Sequence, residues 1–344
     1  MGGSRGTQRR LRSRHPRPCR RHTRSMGSDH EGAGMTSAVG PAVRASRLPP
    51  LLSAMRPYQW PKNGLVFAAL AFSAGDAWEP GDAASWWPLL WRNLALFGLW
   101  CLVSSATYLV NDVQDREFDR LHPRKQFRPI ASGALSVRTA RLAAAGLLIV
   151  AVPPVFALDL VSGAIVLGYA AVMTAYSYGL KRVAILDVLI LCSGVIGRAI
   201  SGGTAIDVDI SPWLYVCTSF GAFFFASSKR WSEYRQLGAG AAKHRPALAM
   251  YTHDILEQML IVSAAAALLS YALYTIESAH VPANGAMAAT LPFVGFALFR
   301  YLLLLDGPRK ADAPDQILFT DPQIIISVVG FLVTAMTIMV IDKG

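Results

Sequence analysis

Residues 111–119 read NDVQDREFD, and within them Asp112, Asp115 and Asp119 are spaced three, four and seven positions apart. On a continuing helix, side chains at those spacings share one face. Three like charges so placed repel one another, and a cation between them removes the repulsion. Carboxylate and water ligands suit Mg²⁺, which commonly binds through one or two carboxylates together with substrate phosphates. The plain alternative is a solvated helix end on which Arg116 and Arg120 pair the acids. Residues 122–133 follow directly as HPRKQFRPIASG. The basic side chains of Arg124, Lys125 and Arg128 beside an acidic metal site form a candidate phosphate clamp, Arg offering bidentate donors and Lys a point charge. Arg128 is favoured over Arg124 because Phe127 and Pro129 flank it and can fix its position.

The elements that must position these groups are apolar. Of 344 residues, 53% are hydrophobic and only 16% charged, a balance that excludes a disordered chain. From residue 56 onward, nine stretches are long enough to cross a bilayer, which takes about 20 residues per helix: roughly 56–75, 88–111, 136–157, 160–179, 184–203, 212–228, 255–276, 286–305 and 322–341. The expectation is an all-α, polytopic membrane protein of nine helices, the aspartates lying where the second helix leaves the membrane.

The loops after the second, fourth, sixth and eighth stretches hold basic residues, among them Arg116, Lys181, Arg182, Lys229, Arg230, Lys243, Arg245, Arg309 and Lys310. The alternate loops hold acids and no Lys or Arg, for example Asp76, Glu79, Asp159, Asp207 and Glu277. By the positive-inside rule the even loops and the N-terminus are cytoplasmic and the C-terminus is outside. The expected location is the plasma membrane, with the site facing the cytoplasm.

The formal net charge of +11 is local. Residues 1–50 hold 11 of the 33 Lys and Arg and two acids, Asp29 and Glu31, and the remainder is close to neutral. That segment is rich in Arg, Ser and Gly without an apolar run. It is expected to be a disordered extension to a membrane-spanning domain at 51–344, not a cleaved signal peptide. A basic tail without an apolar period or aromatic partners is not a nucleic-acid surface. Cys19, Cys101, Cys192 and Cys217 show no metal or disulfide spacing and are expected to be small buried hydrophobes.

NDVQDREFD with HPRKQFRPIASG resembles the first aspartate-rich motif of the UbiA superfamily of intramembrane prenyltransferases. RPYQWPKN at 56–63 resembles that family's opening element. The resemblance covers residues 55–344 and implies nine transmembrane helices around a cytoplasm-facing cavity. Where ordinary members carry a second acidic motif after the sixth helix, this chain reads KRWSE at 229–233. A site that exchanges acids for cations suits an additional phosphate. KRWSE, together with YSYGLK at 176–181, Asp187, and Arg198 before Gly202 and Gly203, is similar to the branch that moves 5-phosphoribose from 5-phosphoribosyl diphosphate onto a polyprenyl phosphate, decaprenyl phosphate in actinobacterial cell-wall arabinan synthesis.

The resemblance implies that Asp112, Asp115 and Asp119 serve Mg²⁺ and catalysis. Lys62, Asn63, Asn111, Arg128, Tyr176, Lys181, Lys229, Arg230 and Glu233 would bind substrate, Asn111 orienting a ligand water and Glu233 holding a ribose hydroxyl or tethering Lys229. Partners would be the donor, the polyprenyl phosphate and membrane lipid, and a homo-oligomer is compatible with the sequence. Two rival readings stand beside it: a UbiA-type enzyme acting on an aromatic quinone or haem precursor, disfavoured by the missing second acidic motif, and a transporter, disfavoured because the charge gathers at one membrane face.

Other features read as structure. Trp86, Trp87 and Trp91 form an interfacial aromatic belt. Pro153 and Pro154 kink the third helix. Arg198 lies inside an apolar span, where an unpaired charge is costly. It either pairs with an acid across the bundle or faces a polar cavity.

Overall fold

A computed structural model describes residues 48–343, apart from 76, 80, 123–124, 210–211, 238–245, 279–280, 308–316 and 319. The basic tail to residue 47 and the loop residues Asp76, Arg124, Lys243, Arg245, Arg309 and Lys310 thus lie outside the described residues. The elements are helical: α1 (Pro50–Met55), a 3₁₀ segment (Pro57–Phe67), α2 (Ala68–Phe72), α3 (Ala83–Gln114), α4 (Arg116–Leu121), α5 (Val137–Leu158), α6 (Leu160–Tyr178), α7 (Leu186–Thr204), α8 (Pro212–Leu237), α9 (His253–Glu277), α10 (Leu291–Asp306) and α11 (Pro322–Lys343). No strand is present among the described residues. Seven helices are long and apolar enough to cross a membrane: α3, α5, α6, α7, α9, Ala286–Asp306 (which includes α10), and α11 through Ile341.

The other two expected spans take different forms. The stretch at 56–75 is not one α-helix: α1 ends at Arg56, an 11-residue 3₁₀ segment follows, and α2 is a short α-helix. Pro57 and Pro61 supply no N–H and clash with a preceding α-turn, which ends α1 early and favours the tighter winding. The sixth stretch is α8, 26 residues long, whose last turns carry Lys229, Arg230 and Arg235 and so dilute its hydropathy.

Side-chain caps set the α5–α6 hairpin and the start of α3. The Ser136 hydroxyl accepts the Thr139 amide, Asp159 accepts the Ser162 amide at the start of α6, and Asp82 accepts the Ala84 amide at the start of α3. α3 packs against α5, α6 and the 3₁₀ segment, while α7 packs against α6, α8 and that same segment. The core between them holds Val66, Leu96, Trp100, Val103, Val155 and Val166. A second core joins α8, α9 and α10 through Phe224, Trp231, Leu256, Leu260, Tyr301 and Leu305. Cys101 and Cys192 are buried and Cys217 is half-buried, all three as free thiols. Trp87 and Trp91 are exposed and Trp86 is half-buried.

The 3₁₀ segment lies directly on α7. A methyl group at Gly202 would sit 2.0 Å from the Val66 carbonyl oxygen, whereas one at Gly98 on α3 would meet nothing within 4 Å. Gly202→Ala is therefore expected to destabilise the protein by about 1–3 kcal/mol, the usual scale of overpacking. Gly98→Ala should be neutral or raise stability by up to about 1 kcal/mol. Thermal unfolding in detergent micelles compares the two.

Candidate functional site

The chain turns at the end of α3. Asp115 ends α3 and precedes α4, so the helix that carries Asp112 does not continue unbroken to Asp119. The backbone still progresses helically, with the Asp115 amide bonded to the Asn111 carbonyl at 2.9 Å and the Asp119 amide to the Asp115 carbonyl at 2.8 Å. Asp112 and Asp119 consequently face one partner. Arg128 Nη1 lies 3.1 Å from Asp112 Oδ1 and 2.7 Å from Asp119 Oδ2. The bland alternative of Arg116 and Arg120 pairing these acids does not hold, for those arginines contact Glu117.

Asp112 is 2% exposed and has a second cation, Arg56, whose Nη2 stands 2.5 Å from the same carboxylate oxygen. Arg56 also stacks 4.9 Å above the Tyr108 ring. Its backbone adopts the left-handed conformation at φ 57°, an uncommon state for a residue with a Cβ and one that gathers at functional sites. Asp115 is the least enclosed of the three aspartates. Lys181 pairs with its Oδ1, and Asn111 Nδ2 donates to its Oδ2 at 3.1 Å. Burial pushes the Asp119 carboxyl above its ordinary value, and the Arg128 guanidinium opposes that shift.

A second polar cluster surrounds Arg230, 2% exposed. Its Nε lies 2.5 Å from Asp187 Oδ2, its Nη1 2.7 Å from Glu233 Oε2, and its Nη2 donates to the Tyr176 hydroxyl at 3.2 Å. Asp187 is fully buried and accepts the Tyr251 hydroxyl at 2.9 Å, while that hydroxyl oxygen accepts the Ile185 amide at 2.6 Å. Burial pushes the Tyr251 phenol up to about 12, so it remains a donor across the physiological range. Consecutive residues of α6 link the two clusters, Tyr176 reaching Arg230 and Ser177 donating to Asn111 at 3.5 Å.

Of the expected residues, Asn111, Asp112, Asp115, Asp119, Arg128 and Lys181 form the first cluster, and Tyr176, Arg230 and Glu233 the second. Lys229 is half-buried beside Arg230, and Lys62 is half-buried on the 3₁₀ segment. Asn63 stands elsewhere, 1% exposed, in a network with Arg198. Arg198 satisfies neither expectation made for it. It stacks over Trp100 and Tyr169 at 4.6 and 5.0 Å and donates to Asn63, the Gly194 carbonyl and the Tyr169 hydroxyl. Sequence reasoning left Arg56 and Tyr251 out of the site, and gave Asp187 no role. A lone acid opening an apolar helix and an Arg before Pro at a membrane edge were the available signals.

Among the described residues, no group of three His, Cys, Asp or Glu side chains is arranged to enclose a metal ion. Mg²⁺ needs no such cage, since one or two carboxylates and phosphate oxygens suffice. The hard oxygen donors fit that mode, with Asp115 the more open carboxylate and Asp112 and Asp119 fixed behind it by arginine. An apolar cavity of about 220 Å³, lined by Phe224, Phe225, Phe293, Leu298 and Phe331, lies between α8, α10 and α11. Its Tyr301 bonds Ser228, the residue before Lys229, at 2.8 Å.

A family model, the UbiA prenyltransferase family, matches residues 65–320. A decaprenyl-phosphate phosphoribosyltransferase of Mycolicibacterium smegmatis is 36% identical over 283 residues, covering 79% of this chain and 86% of that protein. One of Corynebacterium glutamicum is 35% identical over 277 residues, covering 79% and 81%. Among solved structures, a UbiA homolog from Archaeoglobus fulgidus bound to GPP and Mg²⁺ superposes with a TM-score of 0.63 at 19% identity, covering 84% of this chain and 99% of that one; that likeness bears on the fold.

The buried Arg230–Asp187 pair gives a stability test. Asp187→Ala leaves a desolvated guanidinium short of its partner and should cost about 3–5 kcal/mol. Asp187→Leu combined with Arg230→Met should restore most of that loss, measured by thermal unfolding of the solubilised protein.

Proposed function

The chain belongs to the UbiA prenyltransferase family and is a transferase with several membrane-crossing helices, and on that premise we propose that it transfers 5-phosphoribose from 5-phosphoribosyl diphosphate to a polyprenyl phosphate such as decaprenyl phosphate. The observation that carries this reading is the KRWSE element. Where a second metal-binding acidic motif would serve a prenyl diphosphate, α8 presents Lys229 and the buried Arg230, paired with Asp187 and Glu233. The identity to the two curated relatives supports the same reading.

In this proposal the acceptor's phosphate oxygen bonds to the anomeric carbon of the ribose as the bond from that carbon to diphosphate breaks, and the diphosphate departs with the electron pair. The attacking oxygen is already anionic, so no strong general base is required. The chemical demand is electrostatic: two anionic reactants must be held together in a low-dielectric site. Mg²⁺, when bound at Asp115 with Asn111 orienting a water, would neutralise charge on the leaving diphosphate. Arg128 and Lys181, now paired with the aspartates, would turn to the donor's phosphates. Lys62 and Lys229 would hold the remaining phosphate groups, and Glu233 a ribose hydroxyl. Arg230, with Tyr176, would fix α8 so that Lys229 keeps its place. The cavity beyond Ser228 and Tyr301 offers an apolar bed for the isoprene units nearest the acceptor's phosphate.

The proposal further takes the 50–72 segment and α8 as the two spans that complete a nine-span bundle in the plasma membrane, with the site and N-terminus cytoplasmic and residues 1–50 an extension to the 51–344 domain.

Purified protein given labelled 5-phosphoribosyl diphosphate, Mg²⁺ and polyprenyl phosphate should form a lipid-soluble labelled product and release diphosphate. Transfer from a prenyl diphosphate to an aromatic ring, without that product, would overturn the proposal. Asp115→Asn should lower turnover by about 100-fold or more, the scale of a lost transition-state electrostatic contact, without change in the unfolding temperature. Full activity in that variant would remove Asp115 from the metal-binding role.

A further inference from the structure

We propose that Asn63 is a positioning residue: it touches no substrate and, through Arg198, fixes the part of the 3₁₀ segment that carries Arg56 and Lys62. The inference rests on the reading of Lys62 as a phosphate-binding side chain.

In a 3₁₀ helix, residues three apart eclipse one another, so the segment has rows that an α-helix would not keep in line. Trp60, Asn63 and Val66 form one row, and every member is anchored. Trp60 Nε1 donates to Ser105 Oγ at 3.1 Å on α3. Val66 meets α7 at Gly202, where any Cβ would strike its carbonyl. Asn63 has its whole amide engaged: Oδ1 accepts from Arg198 Nε at 2.7 Å, and Nδ2 donates to Cys101 Sγ at 3.2 Å and Ser104 Oγ at 3.3 Å. Both amide protons are thus engaged, and none is left to donate to a phosphate. Arg56, Gln59 and Lys62 fall on the adjacent row, and Arg56 ties that row to Asp112.

Arg198 lies eleven residues after Asp187 on α7, about 16 Å farther along the helix axis. Asn63 also bonds Ser104, eight residues and about 12 Å before Asp112 along α3, so it acts a turn or more away from the motif aspartates. Arg198 stands between Trp100 and Tyr169, with its Nη1 on the Gly194 carbonyl and its Nε aimed at Asn63. A guanidinium held rigidly by two rings is a fixed point on α7, and the Asn63 carbonyl is the group on the 3₁₀ segment that engages it. Proline interrupts this segment twice and α-helical hydrogen bonding does not hold it, so its register depends on such side-chain anchors.

The test uses the full chain in detergent micelles. Asn63→Leu should lower kcat about tenfold or more, while Asn63→Asp, which keeps an acceptor toward Arg198, should hold kcat within about threefold and the donor KM within about twofold of the parent. A carboxylate touching the donor's phosphates would repel them, so a rise of about tenfold in donor KM for Asn63→Asp overturns the inference. In an Arg198→Leu background the loss caused by Asn63→Leu should disappear; full additivity of the two losses overturns it as well. If the Leu variants do not fold, the Asn63→Asp result decides alone. An activity-free check is amine labelling of Lys62 read by mass spectrometry: Asn63→Leu should change its rate and Asn63→Asp restore it, and no change in Asn63→Leu counts against the inference. A parent protein that shows no phosphoribosyl transfer refutes the function reading, not the anchor, because the labelling result still stands.

Discussion

The carboxylate of Asp112 is the group on which the arrangement of the site depends. It is buried, and it is shared by Arg56, 56 positions earlier in the chain, and Arg128, 16 positions later. Removing such charges from water costs several kcal/mol per ion, and the attraction repays this only when geometry is good and the remaining donors are satisfied. One acid with two guanidiniums has an excess positive charge, and the Asp119 carboxylate on Arg128 balances it. The result is a set of cations held in place before any phosphate arrives. In the proposed reaction these cations would have only to exchange one anionic partner for another, not to be ordered from solvent.

The same logic explains why acids remain among so many bases. A phosphate site built of basic residues alone would repel itself in the free protein. Here each aspartate carries a counter-ion: Asp112 with two arginines, Asp119 with Arg128 and Asp115 with Lys181. In the proposed reaction, substrate phosphates and Mg²⁺ would bring charges of both signs in one complex, so the pairs could exchange partners without leaving a bare charge in a poor dielectric. Asp115 is the member best placed for exchange, because it is the more exposed and its cation comes from a short 3₁₀ turn, Leu180–Arg182, rather than from a packed helix.

Hydropathy made the long helices legible. α3, α5, α6, α7, α9 and α11 lie where the apolar runs are, since burial in lipid imposes a length and composition that a sequence shows directly. The stretch at 56–75 was not legible as built, because Pro57 and Pro61 convert much of it to a 3₁₀ segment whose three-residue rows cannot be inferred from an assumed 3.6-residue period. The aspartate motif was legible as chemistry but not as geometry, for its helix turns at Asp115. Arg230 was visible as a cation replacing an acid, whereas its partner Asp187 lies 43 positions away on another helix, a separation over which periodicity carries no information. Arg198 escaped for a different reason. A charge in an apolar span suggests a carboxylate partner or water, and aromatic faces with an amide supply a third solution that composition does not announce.

The two clusters are not independent. Tyr176 and Ser177 are consecutive on α6, so they point about 100° apart around the helix, one toward Arg230 and the other toward Asn111. The last turn of α6 therefore forms a wall between the aspartate side and the KRWSE side, and the two sets of cations share its position. Lys181 follows three residues beyond that helix and returns to Asp115, and the Ile185 amide a few residues later is held by Tyr251, which also orients Asp187. One short stretch, 176–187, thus contributes to both clusters in alternation. A shift of that stretch would move Lys181 and the Tyr176 and Asp187 partners of Arg230 together. For the proposed reaction, which would bring two anions into contact, a common wall would serve better than two separately anchored sites.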